Sequence, residues 1–573
     1  MPKGTGVSAG VGLAQARLWH VPVTYDYIPR KCAYPAKEVD RFEAARRALH
    51  GKTRDLRVKT ARIVGDGEAA IFDAYSMILD DEEGLLEPLR KKIRNENYSA
   101  EFAVTTQFGE LAREFLLLEN EYMRQRVDDV FSIRDQLMRE LMGQLTPETF
   151  YLDRPAIIVA QMLSPADIAN LDVSRVEGIV CEAGGYSSHT SIIARTLGIP
   201  AIMAVDGVTS TIKNGDLIAV DGESGEIWVE PDEVDIELLR GRAERNAQRN
   251  QAAQNFRGLP TISSDGHRVE LAASIGHVDE MNAVTKSDAE SLGLFRTELL
   301  HMGYSGYPSE EEQYAVYCKL LAQMGGKTVT IRTFDDGSNP GLYATRNKKE
   351  EFNPVLGYRG IRMSLGRPSF FRTQLRALLR ASAFGKMRIM FPMISILDEL
   401  DDALNALEHI KNELRREKIA FDENIPVGMY MAVPSAALQT EMFAEKLDFI
   451  TVGINDLIQF TMAIDRSNPD LVGLYHMYHP AGFRILNHIV QGTHAMNIPC
   501  YLNGEAPGFE KVLPALMGLG LDGFAVSPSI ILRCRQILNR SRFDECKELA
   551  EEVLQMRRSD DLIKKLAGTH ITL

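Results

Sequence analysis

Eight short β-rich runs alternate with helical segments over residues 260–573, and this alternation constrains the fold more than any other feature of the sequence. The runs cover residues 269–274, 292–296, 328–332, 387–392, 427–432, 449–455, 498–503 and 523–527. Strands that each lead into a helix favour parallel pairing, and eight such units are the number that closes a (β/α)8 barrel. The sequence therefore predicts that 260–573 is a barrel domain.

Polar residues stand at the ends of several of these runs, where the chain would leave a barrel strand. They are Arg296, Arg332, Asn455, Asp456 and Asn503. The carboxyl ends of the strands form the active face of such barrels. Guanidinium groups grip carboxylate or phosphate oxygens through a planar fork, and a carboxylate offers a hard oxygen to Mg²⁺. This end of the barrel is therefore predicted to bind an anion, although each arginine taken alone also fits a structural ion pair.

The first 231 residues show two further patterns. Strand signals occur at 4–20 and again at 156–160, 178–181, 201–204 and 217–220, whereas 35–143 has helical periodicity and few Gly or Pro residues. The expected organisation is an α/β domain (1–30 and 146–231) interrupted by a bundle of about four helices (31–145). A polar helical linker at 232–259 then leads to the barrel.

Composition excludes several classes of function. Lys and Arg number 65 against 79 Asp and Glu, which gives a net charge of −14 and argues against nucleic-acid binding. No apolar run approaches the roughly 20 residues of a spanning helix, so membrane insertion is not expected. The six cysteines are widely spaced without a CxxC pair, which suggests free thiols in a reducing cytoplasm.

One histidine stands in a distinctive run. Gly184 and Gly185 permit a tight turn, Ser188 is a suitable N-cap, and a helix is predicted from His189 to Gly198. Free N–H groups at a helix start favour an anion and disfavour imidazolium, so His189 would stay neutral and nucleophilic. Taken alone, a histidine is more often structural than catalytic.

The run 184–199 resembles the phosphohistidine motif of the phosphoenolpyruvate–protein phosphotransferases, the Enzyme I family of the bacterial sugar phosphotransferase system. The barrel segments 295–298, 331–335, 356–359 and 453–457 resemble motifs of the same family. Pyruvate phosphate dikinases carry a related histidine run but place a large ATP-binding domain ahead of it, and the short segment before residue 184 does not fit them.

The resemblance implies two phosphoryl transfers. Phosphoenolpyruvate would bind at the barrel with Mg²⁺ on Asp456, and its phosphoryl group would pass to His189 and then to a histidine of the carrier protein HPr, leaving pyruvate. Arg296, Arg332, Asn455, Asp456 and Arg466 are the implied substrate-binding residues. The resemblance also implies that the helical insert docks HPr, that the barrels form a homodimer, and that the N-terminal domains swing against the barrel.

Two positions depart from the family pattern. Ala432 stands where the family has a glutamate that binds Mg²⁺, and Asn503 stands where it has a cysteine that protonates the departing enolpyruvate. Cys500 cannot replace that cysteine, because three residues along a strand it faces the opposite side. Glu505 and water remain as alternative proton sources.

These departures leave three functional hypotheses. The first is an enzyme that phosphorylates HPr from phosphoenolpyruvate, with full or reduced turnover. The second is a regulatory paralogue that binds phosphoenolpyruvate or HPr and is catalytically weakened. The third is a barrel protein in which His189 is only structural. The sequence does not identify the sugars or the regulatory pathway that the protein would serve.

Overall fold

The computed structural model describes residues 3–8, 10–19, 31–64, 71–117, 127–142, 152, 154–163, 167, 171–184, 189–222, 224–276, 278–301, 307–335, 353–465, 479–504 and 509–568. These residues form two compact units, one reaching to Ala247 and one starting at Gln248. The fold is the multidomain α/β arrangement that the sequence predicts.

The first unit contains a seven-stranded sheet. Its strands are β1 (Thr5–Ser8), β2 (Val11–Trp19), β3 (Ala156–Ala160), β4 (Val176–Cys181), β5 (Ala201–Met203), β6 (Leu217–Asp221) and β7 (Glu226–Val229). Their order is β1-β5-β4-β3-β2-β6-β7, with β2, β3, β4 and β5 parallel and the two edges antiparallel. Every residue of β3 is buried, as expected for a strand covered on both faces.

The helical insert between β2 and β3 has its own core. Its helices are α1 (Pro35–Val64), α2 (Ile71–Leu79), α3 (Glu87–Glu96), α4 (Ala100–Leu117) and α5 (Val127–Leu141). Phe42, Leu89, Phe108 and Ile133 are buried in the centre of this core. The described residues of the insert thus form five helices, where the sequence predicts about four. A π-helical turn (Glu82–Leu86), capped by Asp81, separates α2 from α3.

Three further helices complete this part of the chain: α6 (His189–Leu197), α7 (Val208–Thr211) and α8 (Glu233–Gln254). Helix α6 ends as predicted, because Gly198 adopts a φ of 69° that stops the helix. Helix α8 occupies most of the predicted 232–259 linker.

The second unit is a closed parallel barrel. Its strands are β8 (Glu270–Ile275), β9 (Ser291–Arg296), β10 (Val329–Arg332), β11 (Met387–Pro392), β12 (Val427–Met431), β13 (Phe449–Gly453), β14 (Cys500–Asn503) and β15 (Gly523–Val526). Each predicted run overlaps one strand, which confirms the barrel. The run 449–455 was too long, because the helix after β13 begins at Ile454.

Thirteen helices belong to the described barrel unit, and most of them form its outer layer. They are α9 (Met281–Ser287), α10 (Glu310–Met324), α11 (Ile361–Gly366), α12 (Pro368–Ser382), α13 (Leu397–Glu417), α14 (Pro434–Ala437), α15 (Thr440–Ala444), α16 (Ile454–Met462), α17 (Pro480–Ala495), α18 (Phe509–Gly518), α19 (Ile531–Arg540), α20 (Phe543–Gln555) and α21 (Ser559–Gly568). Outward strand residues such as Ile331, Met429 and Leu502 pack under this layer, so alternate residues face the barrel interior. None of the described helices has the length and apolar character needed to cross a membrane.

Close packing of α18 against α20 generates a stability prediction. A Cβ atom at Gly518 would lie 1.9 Å from the carbonyl oxygen of Cys546, which is backbone and cannot rotate away. Gly518→Ala should therefore lower the free energy of unfolding of the barrel by about 1–3 kcal/mol. Calorimetric unfolding measures the change.

Gly109 in α4 is the matched control, because a Cβ there would meet no atom within 4 Å. Gly109→Ala should stabilise its own unit by about 0.5–1 kcal/mol through helix propensity. Equal effects of the two substitutions would contradict the packing argument.

Candidate active site

Arg332 ends strand β10 and lies buried at the carboxyl end of the barrel, with 6% of its surface exposed. Its Nη2 donates to Oε1 of Glu298 at 2.8 Å, and its Nη1 lies 3.2 Å from Oδ2 of Asp335. Burial alone would lower the pKa of Arg332, but these two carboxylates outweigh burial and raise it. The Nε atom of Arg332 is buried with no hydrogen-bond partner among the described residues. One donor therefore remains available for a ligand.

Asp335 connects Arg332 to a second arginine. Its two oxygens each accept a hydrogen bond of 2.9 Å from Arg359, through Nε and Nη2. Burial would raise the pKa of Asp335, but the charges of Arg359 and Arg332 hold it below its usual value of 3.8. Arg359 also approaches Oδ2 of Asp456 at 3.8 Å. Two arginines and three carboxylates thus form one connected ionic network.

Asn503 ends strand β14 and is held by three hydrogen bonds. Its Nδ2 donates to Oγ of Ser274 at 3.0 Å and to the carbonyl of Ala525 at 3.2 Å. Its Oδ1 accepts from the hydroxyl of Tyr430 at 3.1 Å. The guanidinium of Arg332 lies over the Tyr430 ring, 4.8 Å from the ring centroid. Asn503 and Arg332 are therefore linked through a single tyrosine.

Ala432 is fully buried just after β12. It packs in an apolar cluster inside the barrel with Leu294, Met390, Met393 and Phe449. This position contributes no oxygen ligand.

The structure describes two of the other predicted substrate-binding residues, and several predicted residues lie outside its described parts. Arg296 ends β9, is exposed, and lies beside Arg332 in the strand register. Asn455 is half-buried in the first turn of α16, together with Asp456. Arg466, Glu505, Gly185 and Ser188 lie outside the described residues.

His189 is the first residue of α6, as predicted, and the structure describes its backbone only. The next residue anchors the helix start, because Oγ1 of Thr190 donates to the carbonyl of Leu163 at 2.8 Å.

Four residues of the site had no assigned role in the sequence analysis: Glu298, Asp335, Arg359 and Tyr430. The first three lie in segments that resemble family motifs, so their charge was visible but their mutual pairing was not. Tyr430 lies in a β-rich run, where nothing in the sequence distinguishes it from other strand residues.

Cys500 packs in the apolar layer outside the barrel, where burial raises the pKa of its thiol to about 12. It therefore faces away from the site, as predicted.

No group of three His, Cys, Asp or Glu residues suited to a metal occurs in the described parts of the chain. Glu298 and Asp335 are bonded to arginines, and Asp456 is the carboxylate that follows β13. Mg²⁺ needs only one or two protein carboxylates when waters and substrate oxygens complete its shell. The residues present fit such a loosely held ion.

The buried carboxylate predicts a pH-dependent stability. Asp335→Asn should lower the free energy of unfolding by about 3–5 kcal/mol at pH 7, because the buried Arg332 and Arg359 both lose the carboxylate that they share. The native pKa of Asp335 is depressed, so its contribution is present above its usual pKa of 3.8 and is lost as pH falls through the native value. The difference between variant and wild type should therefore shrink below pH 4 in urea unfolding.

Glu423→Gln is the control for this prediction, because Glu423 pairs with Arg415 at the surface. Its effect should stay below about 1 kcal/mol. An effect of Asp335→Asn of that same small size would contradict the buried network.

Three segments of the chain match known families. Residues 3–126 match the N-terminal domain of PEP-utilising enzymes, residues 152–225 their mobile domain, and residues 250–543 their PEP-binding domain.

Curated proteins of the same family are similar to this chain over nearly its full length. The phosphoenolpyruvate-protein phosphotransferase of Staphylococcus carnosus is 36% identical over 98% of this chain and 97% of its own length. That of Bacillus sp. (strain S) is 37% identical over the same shares of both chains.

A solution structure of Enzyme I is 29% identical, with a TM-score of 0.38, over 43% of this chain and 100% of that one.

All three domains are present in the family order, and sequence identity extends over nearly the whole chain. This chain belongs to the phosphoenolpyruvate–protein phosphotransferases, the Enzyme I family, and is an enzyme of phosphoenolpyruvate-dependent phosphoryl transfer.

Proposed function

We propose that the protein transfers the phosphoryl group of phosphoenolpyruvate to His189 and then to a histidine of HPr, in the first step of sugar uptake. The observation that carries this proposal is the buried Nε of Arg332, which has no hydrogen-bond partner among the described residues. Arg296 is paired with Arg332 in the strand register, and two arginines at neighbouring strand ends suit a ligand that bears both a carboxylate and a phosphate.

The proposed chemistry assigns each group a task. Arg296 and Arg332 hold the anionic oxygens, Asn455 and Arg466 are the further substrate-binding residues that the family resemblance implies, and Asp456 would hold Mg²⁺. The ion, when bound, would neutralise charge on the phosphate. The imidazole of His189 attacks phosphorus, the bond from phosphorus to the enol oxygen breaks, and enolpyruvate is left. The phosphorylated ring then delivers its group to HPr.

The helical insert is the proposed docking surface for HPr. Helix α2 is mostly apolar and buries Phe72, Tyr75 and Leu79, but Met77 on it keeps 75% of its surface exposed. An apolar side chain that faces solvent on a stable helix suits a transient partner. Travel of His189 between the barrel and HPr would use a hinge at α8.

A catalytically weakened paralogue is the second candidate, and one observation favours it. Ala432 is sealed in an apolar cluster, so the position of the second metal ligand holds only a methyl group. Such a protein would bind phosphoenolpyruvate or HPr without useful turnover.

Labelling of His189 tests the proposed function. The full-length protein is incubated with radiolabelled phosphoenolpyruvate, Mg²⁺ and HPr. We expect label on His189 and on HPr, and loss of both in His189→Ala. His409→Gln is the control, because His409 lies exposed on α13 and should leave labelling unchanged.

The other hypotheses make different predictions for the same assay. A weakened paralogue shows no label in the wild type and gains it in the double variant Ala432→Glu, Asn503→Cys. A structural His189 leaves every transfer readout unchanged in His189→Ala. Either result would contradict the proposed function.

We also propose that the protein is a homodimer formed through its barrel. Leu438, after α14, is 69% exposed and Met442 on α15 is 55% exposed, so two large apolar side chains face solvent close together in the chain.

Light scattering of Leu438→Glu, Met442→Glu tests this surface. The double variant should be monomeric, because burying two carboxylates opposes association. Val234→Glu is the control, since Val234 is 76% exposed on α8 and should leave the dimer intact. A double variant of unchanged mass would exclude this face as the dimer contact.

A further inference from the structure

Strand β10 ends at Arg332, and two side chains hold the backbone just beyond it. Oε1 of Glu298 accepts from the N–H of Asp335 at 2.9 Å as well as from the Arg332 guanidinium. Oε1 of Gln374 accepts from the N–H of Phe334 at 3.0 Å. Gln374 belongs to α12, in the helix layer, and is fully buried. A side chain from outside the barrel therefore binds the backbone between the two charged residues of the site.

The nitrogen of the Gln374 amide reaches the same strand end through Thr297. Its Nε2 donates to Oγ1 of Thr297 at 3.3 Å, and that hydroxyl donates its single hydrogen to the carbonyl of Arg332 at 3.0 Å. Nε2 also lies 3.5 Å from the hydroxyl of Tyr317, which donates to Oε1 of Gln313 at 3.1 Å. The amide thus belongs to a polar network between the barrel and two of its outer helices.

These hydrogen bonds have one consistent direction. A backbone N–H can only donate, so the oxygen of Gln374 must face Phe334 and its NH₂ group must face Thr297. The hydroxyl of Thr297 must then turn its hydrogen toward the carbonyl of Arg332. Gln374, Thr297 and Phe334 are all fully buried, where a polar group left without a partner is costly. One amide therefore restrains both the Arg332 carbonyl and the Phe334 N–H.

The ionic network alone does not supply this restraint. Glu298 and Asp335 bind the guanidinium of Arg332, but paired side chains can follow a backbone that moves. Gln374 binds the backbone itself and so ties the strand end to the helix layer. This matters for a ligand, because a displacement of about 1 Å at a binding group can cost about 100-fold.

We propose that Gln374 is a positioning residue for phosphoenolpyruvate binding and that it acts through Arg332. Its amide fixes the strand end from which the Arg332 side chain extends, and the guanidinium then presents to the ligand the Nε that has no partner among the described residues. Gln374 lies outside the barrel and takes no part in the chemistry. The inference rests on the role that the proposed function gives to Arg332.

Binding of radiolabelled phosphoenolpyruvate to the full-length chain, followed by equilibrium dialysis with Mg²⁺, tests this role. The parent protein and all variants carry His189→Ala, so that the ligand binds without being consumed. Gln374→Met keeps the length of the side chain and removes both of its hydrogen-bonding groups. Its Kd should rise about 10-fold or more, because the guanidinium is no longer held in place. An unchanged Kd in folded Gln374→Met would overturn the inference.

Ser382→Ala is the matched control. Ser382 ends the same helix, is 4% exposed, and its Oγ accepts from the backbone N–H of Asp422 at 2.8 Å. Its removal also frees a buried backbone group, but about 12 Å along the helix from Gln374. The control should keep the Kd of the parent, and thermal unfolding identifies any variant that loses the fold. An equal rise of Kd in both variants would contradict a specific role of Gln374.

Gln374→Glu makes the restraint depend on pH. The protonated carboxyl accepts and donates, as the amide does, whereas the ionised form only accepts and forces Thr297 to turn its hydrogen away from Arg332. Burial raises the pKa of such a carboxyl, so the protonated form persists at mildly acidic pH. The ratio of the variant's Kd to that of the parent should be close to one at about pH 5.5 and higher at about pH 8.5. A ratio equally raised at both values would count against the inference.

A double variant shows whether Gln374 acts through Arg332. Arg332→Lys keeps the positive charge that Glu298 and Asp335 need but lacks the planar fork, so it should itself weaken binding. Gln374→Met added to Arg332→Lys should then raise Kd little further, because the group that it positions is already gone. Two effects that multiply in full would show that Gln374 acts by another route and would overturn the inference.

His189 labelling keeps this test separate from that of the proposed function. A parent that does not bind phosphoenolpyruvate would overturn both. Binding that depends on Gln374, in a wild-type protein whose His189 never accepts phosphate, would overturn the proposed transfer alone. Labelling of His189 together with a Kd independent of Gln374 would overturn this inference alone.

Discussion

Two carboxylates fix the arginines at the carboxyl end of the barrel. Glu298 and Asp335 together bind Arg332, and Asp335 also holds Arg359 through a bidentate pair. Buried charges are tolerated only when they are paired, so each member of this network fixes the others. Mutual attraction offsets the cost of burying them, and the arginines are thereby held in the orientation that the proposed anion site needs. The placement of Tyr430 and Asp456 follows from it, since both lie against these arginines.

The proposed anion site at the barrel mouth keeps the arginines of the family pattern, whereas two other positions of the site depart from it. Ala432, in an apolar cluster, stands where the family pattern has a glutamate that binds the metal. Asn503 stands where that pattern has a cysteine. The amide of Asn503 is fully hydrogen-bonded: Nδ2 donates to Ser274 and Ala525, and Oδ1 accepts from Tyr430.

Much of this architecture was predictable from the residues. Eight β-rich runs, several of them ending in a polar residue, correspond to eight strands of a closed barrel, because strand periodicity and short connections are local properties of the chain. The helix that begins at His189 and stops at Gly198 is equally local. The number of helices in the insert was less accessible, because the π-helical turn between α2 and α3 depends on the capping carboxylate of Asp81.

The sequence by itself determined the family, the barrel, and the strand ends at Arg296, Arg332 and Asn503, with Asp456 shortly after another strand. It did not determine which charges pair or which hydroxyl meets Asn503. Those facts depend on contacts between residues far apart in the chain, such as Tyr430 with Asn503 and Arg332 with Glu298. Only the tertiary structure brings such residues within hydrogen-bond distance: Glu298 follows β9, which pairs with β10, and the side chains of Tyr430 and Asn503 both point into the curved barrel from the strands on either side of β13.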